Sequence, residues 1–128
     1  MVTELPDSKG ILIADDEQEL RESLRDILEA KGFRVQVTDD GDSAVALVNA
    51  NRYCLVIMDI RMPRKDGIEA LREMMVIRPG IPVVMVTAFR LDEDKRRLVT
   101  DSALALYTKP LDIDALVALA ERHCFKLR

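Results

Sequence analysis

The chain has 128 residues, of which 48% are hydrophobic and 33% charged, with a formal net charge of -4. That length and balance describe one globular domain able to bury a sizeable core, and they argue against a disordered chain. The acidic excess speaks against a nucleic-acid surface or a polybasic membrane anchor, and no apolar stretch approaches the roughly 18 residues of a transmembrane helix.

Met1 to Ser8 is polar and contains a proline, so residues 1–8 are expected to form a loose arm. Lys9 to Ala14 reads as a first strand: it is Ile-rich and lacks alternation, the pattern of a strand buried on both faces. Glu17 to Lys31 is a helix with Leu20, Leu24, Ile27 and Leu28 on one stripe and Gly32 at its C-terminal stop. Phe33 to Val37 is a second strand. Asp40-Gly41 signals a turn, with Asp40 or Asp42 as the cap of a helix carrying Ala44, Val45, Leu47 and Val48. Tyr53 to Met58 is a third, strongly apolar strand. Lys65 to Gly67 leads into a helix with Ile68, Leu71, Met74 and Met75 on one side, and Pro79, Gly80 and Pro82 end it.

Ile81 to Val86 is a fourth strand, followed by a charged helix over Asp92 to Ser102. The apolar side of that helix is thin (Leu91, Leu98, Val99), so it is expected to be the least firmly packed. Leu104 to Tyr107 is a fifth strand, and Asp112 caps a last helix carrying Leu116, Val117, Leu119 and Ala120. Five strands alternating with five helices predict an α/β domain: an open parallel sheet with right-handed crossovers and helices on both faces. The N-terminus lacks a signal-peptide core, which makes the cytoplasm the expected location. Two distant cysteines do not suggest a disulfide framework; Cys54 reads as a small buried hydrophobe and Cys124 as a helix residue without a special role. His123 reads as an ordinary residue of the last helix.

Asp15, Asp16, Asp59, Thr87 and Lys109 each stand at or just beyond the end of an apolar run. Strand ends of a parallel sheet converge on one edge, where ligands bind. Three carboxylates, a hydroxyl and an ammonium would meet there, a set suited to a divalent cation such as Mg2+ or Mn2+ and a phosphoryl group. Adjacent Asp15 and Asp16 repel each other and need a counter-charge, although Asp16 could instead cap the first helix. A carboxylate at Asp59, closing so apolar a strand, is costly without a partner. The Thr87 hydroxyl could bond to backbone or donate to an anion. A cis Lys109–Pro110 bond would be one way to turn the ammonium back toward the cleft.

Taken in order, these segments resemble the receiver domain of bacterial two-component response regulators, of the chemotaxis and sporulation single-domain type. The matching stretches are Ile11 to Glu17, Asp39-Asp40-Gly41 with Ala44, Val56 to Pro63 with Asp66-Gly67, Pro82 to Ala88, and Lys109-Pro110-Leu111. The resemblance covers residues 9–125, leaving 126–128 as a tail. It implies a flavodoxin-like doubly wound sheet in the order 2-1-3-4-5. It implies that Asp59 accepts a phosphoryl group from a phosphohistidine on a sensor histidine kinase or histidine phosphotransfer protein. Mg2+ would be held by Asp16, Asp59 and the backbone carbonyl of Arg61, with Asp15 acting through water. Thr87 and Lys109 would bind phosphoryl oxygens, and Ala88 would leave room beside them. The protein would then be a switch that catalyses its own phosphorylation and slow autodephosphorylation, and that acts on an effector protein or a C-terminal output domain in a longer chain.

Two features depart from the family pattern. The switch position three residues before the lysine is usually aromatic, and here it is Leu106; Tyr107 lies one step on, facing the other side of the strand. Arg61 and Phe89 stand two places beyond Asp59 and Thr87, where the family tunes phosphoryl lifetime. Rival expectations are a degenerate receiver acting only by protein contact and, more distantly, a haloacid-dehalogenase-like aspartyl phosphatase. The latter would want an acidic residue where Arg61 stands. A flavodoxin-like electron carrier would need a phosphate-cradling loop where the acidic pair stands.

Overall fold

The computed structural model describes residues 8–126. The chain runs β1 (Ile11–Ala14), α1 (Gln18–Ala30), β2 (Val35–Thr38), α2 (Gly41–Ala50), β3 (Leu55–Asp59), α3 (Gly67–Ile77), β4 (Val83–Thr87), α4 (Glu93–Ser102), β5 (Ala105–Thr108) and α5 (Ile113–His123). All four strand pairings are parallel, in the order β2-β1-β3-β4-β5. The expected doubly wound, flavodoxin-like sheet is therefore present.

Side-chain alternation along each strand divides the core in two. Leu12, Val56, Met58, Val83 and Met85 point to one face, with α2, α3 and Val99 of α4. Ile11, Ile13, Leu55, Ile57, Val84 and Val86 point to the other, under Leu24 and Leu28 of α1 and Leu116 and Ala120 of α5. Every residue of β1, β3 and β4 is buried, which explains their unbroken apolar runs.

The strands start one or two residues later than their apolar runs, and β2 to β5 each end one residue beyond. The shift matters because the ladder includes the polar ends: Asp59 pairs with Val86 and Thr87 with Thr108. Asp40, Asp66, Asp92 and Asp112 each accept a backbone N–H three residues on and so cap α2, α3, α4 and α5. Asp16 does not cap α1; the preceding position is Glu17, with no side-chain cap. The thin packing expected of α4 is observed, since Val99 is its one buried residue.

One expectation is overturned. Cys54 is buried, but Cys124 is not an idle helix residue: it is the C-cap of α5 and is disulfide-bonded to Cys54 across 70 residues. The sheet order places the start of β3 beneath the end of α5, bringing the two Cα atoms to 5.4 Å. Spacing along the chain carried no trace of this approach. The expected arm over residues 1–8 lies outside the described residues save for Ser8, which is buried and bridges Arg52. The expected tail 126–128 also lies outside them save for Lys126, paired with Glu121 at 2.8 Å.

Candidate functional site

Backbone bonds just past the strand ends assemble the cleft. The Asp15 N–H donates to Thr38 O at 3.1 Å, that of Ile60 to Val86 O at 2.9 Å, and that of Lys109 to Thr87 O at 2.9 Å. Residues from all five strand ends are thereby locked into register. Gly67 brings the start of α3 against the end of β3, where a Cβ would fall 2.2 Å from the Asp59 carbonyl oxygen. Its N–H donates to Ile60 O at 2.7 Å. The Lys109–Pro110 peptide is cis.

Asp15, Asp16 and Asp59 offer carboxylate oxygens that all lie within 4.8 Å of one another. Asp15 and Asp59 are 4% and 6% exposed, whereas Asp16 faces solvent. The Lys109 Nζ holds this acidic group together. It donates to Asp59 Oδ2 at 2.8 Å and to Glu17 Oε1 at 3.0 Å, and lies 3.4 Å from Asp15 Oδ2. Asp59 Oδ1 accepts from the Arg61 N–H at 3.1 Å, and Asp15 Oδ1 from the Glu17 N–H at 2.8 Å.

The electrostatics follow from this crowding. Burial raises the Asp15 carboxyl from 3.8 to about 6; the Asp59 charge adds to the rise, while the Glu17 N–H and Lys109 oppose it. Burial also works against the Lys109 ammonium, but its bonds to Asp59 and Glu17 prevail and hold it protonated well above the usual range. The result is a cluster of carboxylates compensated chiefly by the Lys109 ammonium, with hard oxygen donors of the kind that suit Mg2+ or Mn2+.

Thr87 is 3% exposed and reaches the cleft rim, but both of its hydrogen bonds run to Phe89: Oγ1 donates to Phe89 O at 2.9 Å and accepts from the Phe89 N–H at 3.0 Å. Ala88 is exposed beside it. The Arg61 guanidinium lies 3.9 Å from the centre of the half-exposed Phe89 ring, so the two residues meet across the mouth. Leu106 packs with the α2–α4 side of the core and Tyr107 with the α1–α5 side.

Two members of the site were not anticipated. Glu17 is the third carboxylate on Lys109, and Arg21 donates to the Asp15 carbonyl at 2.9 Å. Glu17 directly follows the acidic pair, so its position was a usable signal. Arg21 sits one helical turn beyond, and nothing in its local pattern marks it.

A family model described as the response regulator receiver domain matches residues 11–121. The transcriptional regulatory protein PdtaR of Mycobacterium tuberculosis is 38% identical over 121 residues, covering 94% of this chain and 58% of that protein. The transcriptional regulatory protein ZraR of Escherichia coli is 34% identical over 116 residues, covering 91% of this chain and 26% of that protein. This chain thus spans between about a quarter and three-fifths of those two relatives. Among solved structures, a CheY-like receiver domain from Methanospirillum hungatei superposes with a TM-score of 0.81 at 27% identity, covering 90% of this chain and 96% of that one. The receiver domain of a Pseudomonas aeruginosa sensor histidine kinase, solved with a magnesium ion in its active-site cleft, gives 0.79 at 27% identity, covering 91% and 97%.

Proposed function

We propose that this chain, which belongs to the response regulator receiver domain family of two-component systems, accepts a phosphoryl group on Asp59. The observation that carries the reading is the Asp59 carboxylate itself: nearly buried, at the end of the central strand, and held at 2.8 Å by Lys109 among neighbouring acids. An Asp59 oxygen attacks phosphorus in line; the phosphorus–nitrogen bond of a phosphohistidine breaks as the acyl phosphate forms. Lys109 is already at the reacting carboxylate and follows the new phosphoryl oxygens, offsetting their charge. Thr87 leaves its bonds to Phe89 and donates to the phosphoryl group. Ala88 adds no bulk beside it. Hydrolysis later forms a water oxygen–phosphorus bond, breaks the acyl oxygen–phosphorus bond and restores Asp59.

Asp16 and Asp59 would hold Mg2+ together with the Arg61 carbonyl, Asp15 acting through water; Mn2+ suits the same donors. When bound, the ion neutralises charge on the transferring phosphoryl group. Leu106 occupies the switch position, while Phe89 and Arg61 guard the approach of water. We assign the receiver to residues 9–125 and its location to the cytoplasm. Among the described residues, no helix is long and apolar enough to cross a membrane. The donor is a sensor histidine kinase or histidine phosphotransfer protein, and the output passes to an effector or to an attached domain.

Incubation with acetyl phosphate and Mg2+ followed by intact mass spectrometry tests the assignment. One phosphoryl adduct is expected on the wild type and none on Asp59→Asn, with unchanged far-UV circular dichroism. An undiminished adduct on the variant would refute it.

A further inference from the structure

Cys54 and Cys124 meet at the opposite end of the sheet from the acidic cleft. Cys54 immediately precedes β3, the central strand, and its N–H donates to Gly10 O at 2.9 Å. Asp59 closes the same strand five residues on, roughly 17 Å away at the usual rise of a strand. Cys124 closes α5, its N–H donating to Ala120 O at 2.8 Å. The two residues are 7% and 4% exposed and sit among Leu28, Phe33, Leu116 and Ala120. Reduced, they remain small apolar fillers of that core, so the same fold accommodates either redox state. Oxidised, they add a tie between the central strand and the last turn of the last helix. Without the bond, that end of α5 is held by the burial of its own Leu116 and Ala120 in the core and by ordinary helix hydrogen bonds.

We propose that the Cys54–Cys124 pair is a site of reversible oxidation by small-molecule disulfides of the glutathione class, and that the bond pins the end of α5 to the sheet. In the oxidising direction the Cys124 thiolate attacks one sulfur of the small disulfide and expels one thiolate. The Cys54 thiolate then attacks the Cys124 sulfur of the mixed disulfide and expels the second. Two protein thiols are oxidised, one small disulfide is reduced to two small thiols, and the two protons pass to the leaving thiolates. Cys124 reacts first because fraying of a helix end uncovers it, whereas Cys54 is clamped beside the central strand. Burial of both sulfurs makes opening of the α5 terminus the gate for exchange in either direction. The two ends of β3 then carry separate chemistries, phosphoryl acceptance at one and thiol oxidation at the other.

The test equilibrates the protein in buffers of defined reduced-to-oxidised glutathione ratio, quenches with acid, alkylates after unfolding and counts free thiols by mass spectrometry. The two thiols should disappear together in one two-electron transition, reversibly, without an accumulating glutathione adduct. Hydrogen exchange at the last turn of α5 should slow at least tenfold on oxidation, while exchange around Asp59 stays the same. Closing a 70-residue loop should also favour folding by a factor on the order of a thousand. The double variant Cys54→Ser/Cys124→Ser should lose every redox dependence. Thiols that stay reduced throughout, that oxidise independently, or that fail to reopen in reducing buffer would overturn the proposal. So would α5 exchange that is identical in the two states of the wild type.

Discussion

Replacing Asp15 by asparagine is expected to stabilise the metal-free receiver at neutral pH. In the folded chain the Asp15 carboxyl is raised from 3.8 to about 6, first by burial and then by the Asp59 charge. A rise of that size corresponds to about 3 kcal/mol of stability forgone once the group ionises. The cleft is open to water on one side, so about 1–3 kcal/mol is the expected range. The sign is set by proton uptake. Between pH 4 and 6 the folded state holds a proton that the unfolded chain has released, so wild-type stability falls as pH rises through that window. Asparagine carries no such burden, and its side-chain oxygen can still accept the Glu17 N–H that Asp15 accepts at 2.8 Å. Urea unfolding followed by far-UV circular dichroism suits a chain without tryptophan. The variant should be more stable than wild type at pH 7.5, with the advantage shrinking to about a third at pH 4.5. Saturating Mg2+ should also narrow the gap by stabilising the wild type. An advantage that is absent at pH 7.5, or that persists unchanged at pH 4.5, would refute the account of a repelled and buried carboxylate.

Gly67→Ala should destabilise the fold by about 1–3 kcal/mol, because its methyl group meets the Asp59 carbonyl oxygen; urea unfolding reads the loss, and Mg2+ affinity should weaken with it. Asp92→Ala removes the cap bond from the Lys95 N–H and should cost about 1 kcal/mol. Because α4 buries only Val99, the loss should appear as roughly fivefold faster hydrogen exchange confined to that helix. Phe89→Ala breaks the stack with Arg61 at the cleft mouth and should speed decay of the phosphorylated form several-fold with Mg2+ affinity preserved. Decay at the wild-type rate would remove Phe89 from any shielding role.

Much of the architecture was legible because buried parallel strands need continuous apolar runs, and Ile11 to Ala14, Leu55 to Met58 and Val83 to Val86 are such runs. The polar residues that end them were legible for the same reason, since a carboxylate after four buried residues is conspicuous. The ladder runs one residue past the apolar runs because hydrogen-bond register, not hydropathy, decides where it stops; Asp59 and Thr87 belong to it. Asp66 caps α3 from inside a polar turn, between Lys65 and Gly67, where no apolar run ends to mark it. The disulfide was invisible for a deeper reason. Contact between residues 70 apart is a property of the assembled sheet, and two cysteines carry no pairing pattern of their own.

The resting site is best understood as an electrostatic imbalance preserved by the fold. Asp15, Asp16, Glu17 and Asp59 crowd together, yet among the described residues Lys109 is the one ammonium in their midst. A core designed for stability alone would replace Asp15 with a neutral residue, since the ionised form is disfavoured by its own burial. Retaining it leaves negative charge that a cation would offset, and a bound cation would in turn make room for further negative charge on Asp59. Thr87 fits the same proposal: its hydroxyl spends both hydrogen bonds on Phe89 and would have to abandon them to reach a phosphoryl oxygen. Such an exchange would loosen the β4–α4 loop, and α4, which buries one residue, is the element beside it with least to hold it still. On the proposed reading, charge arriving at Asp59 would therefore have a mechanical route outward through the most weakly anchored helix.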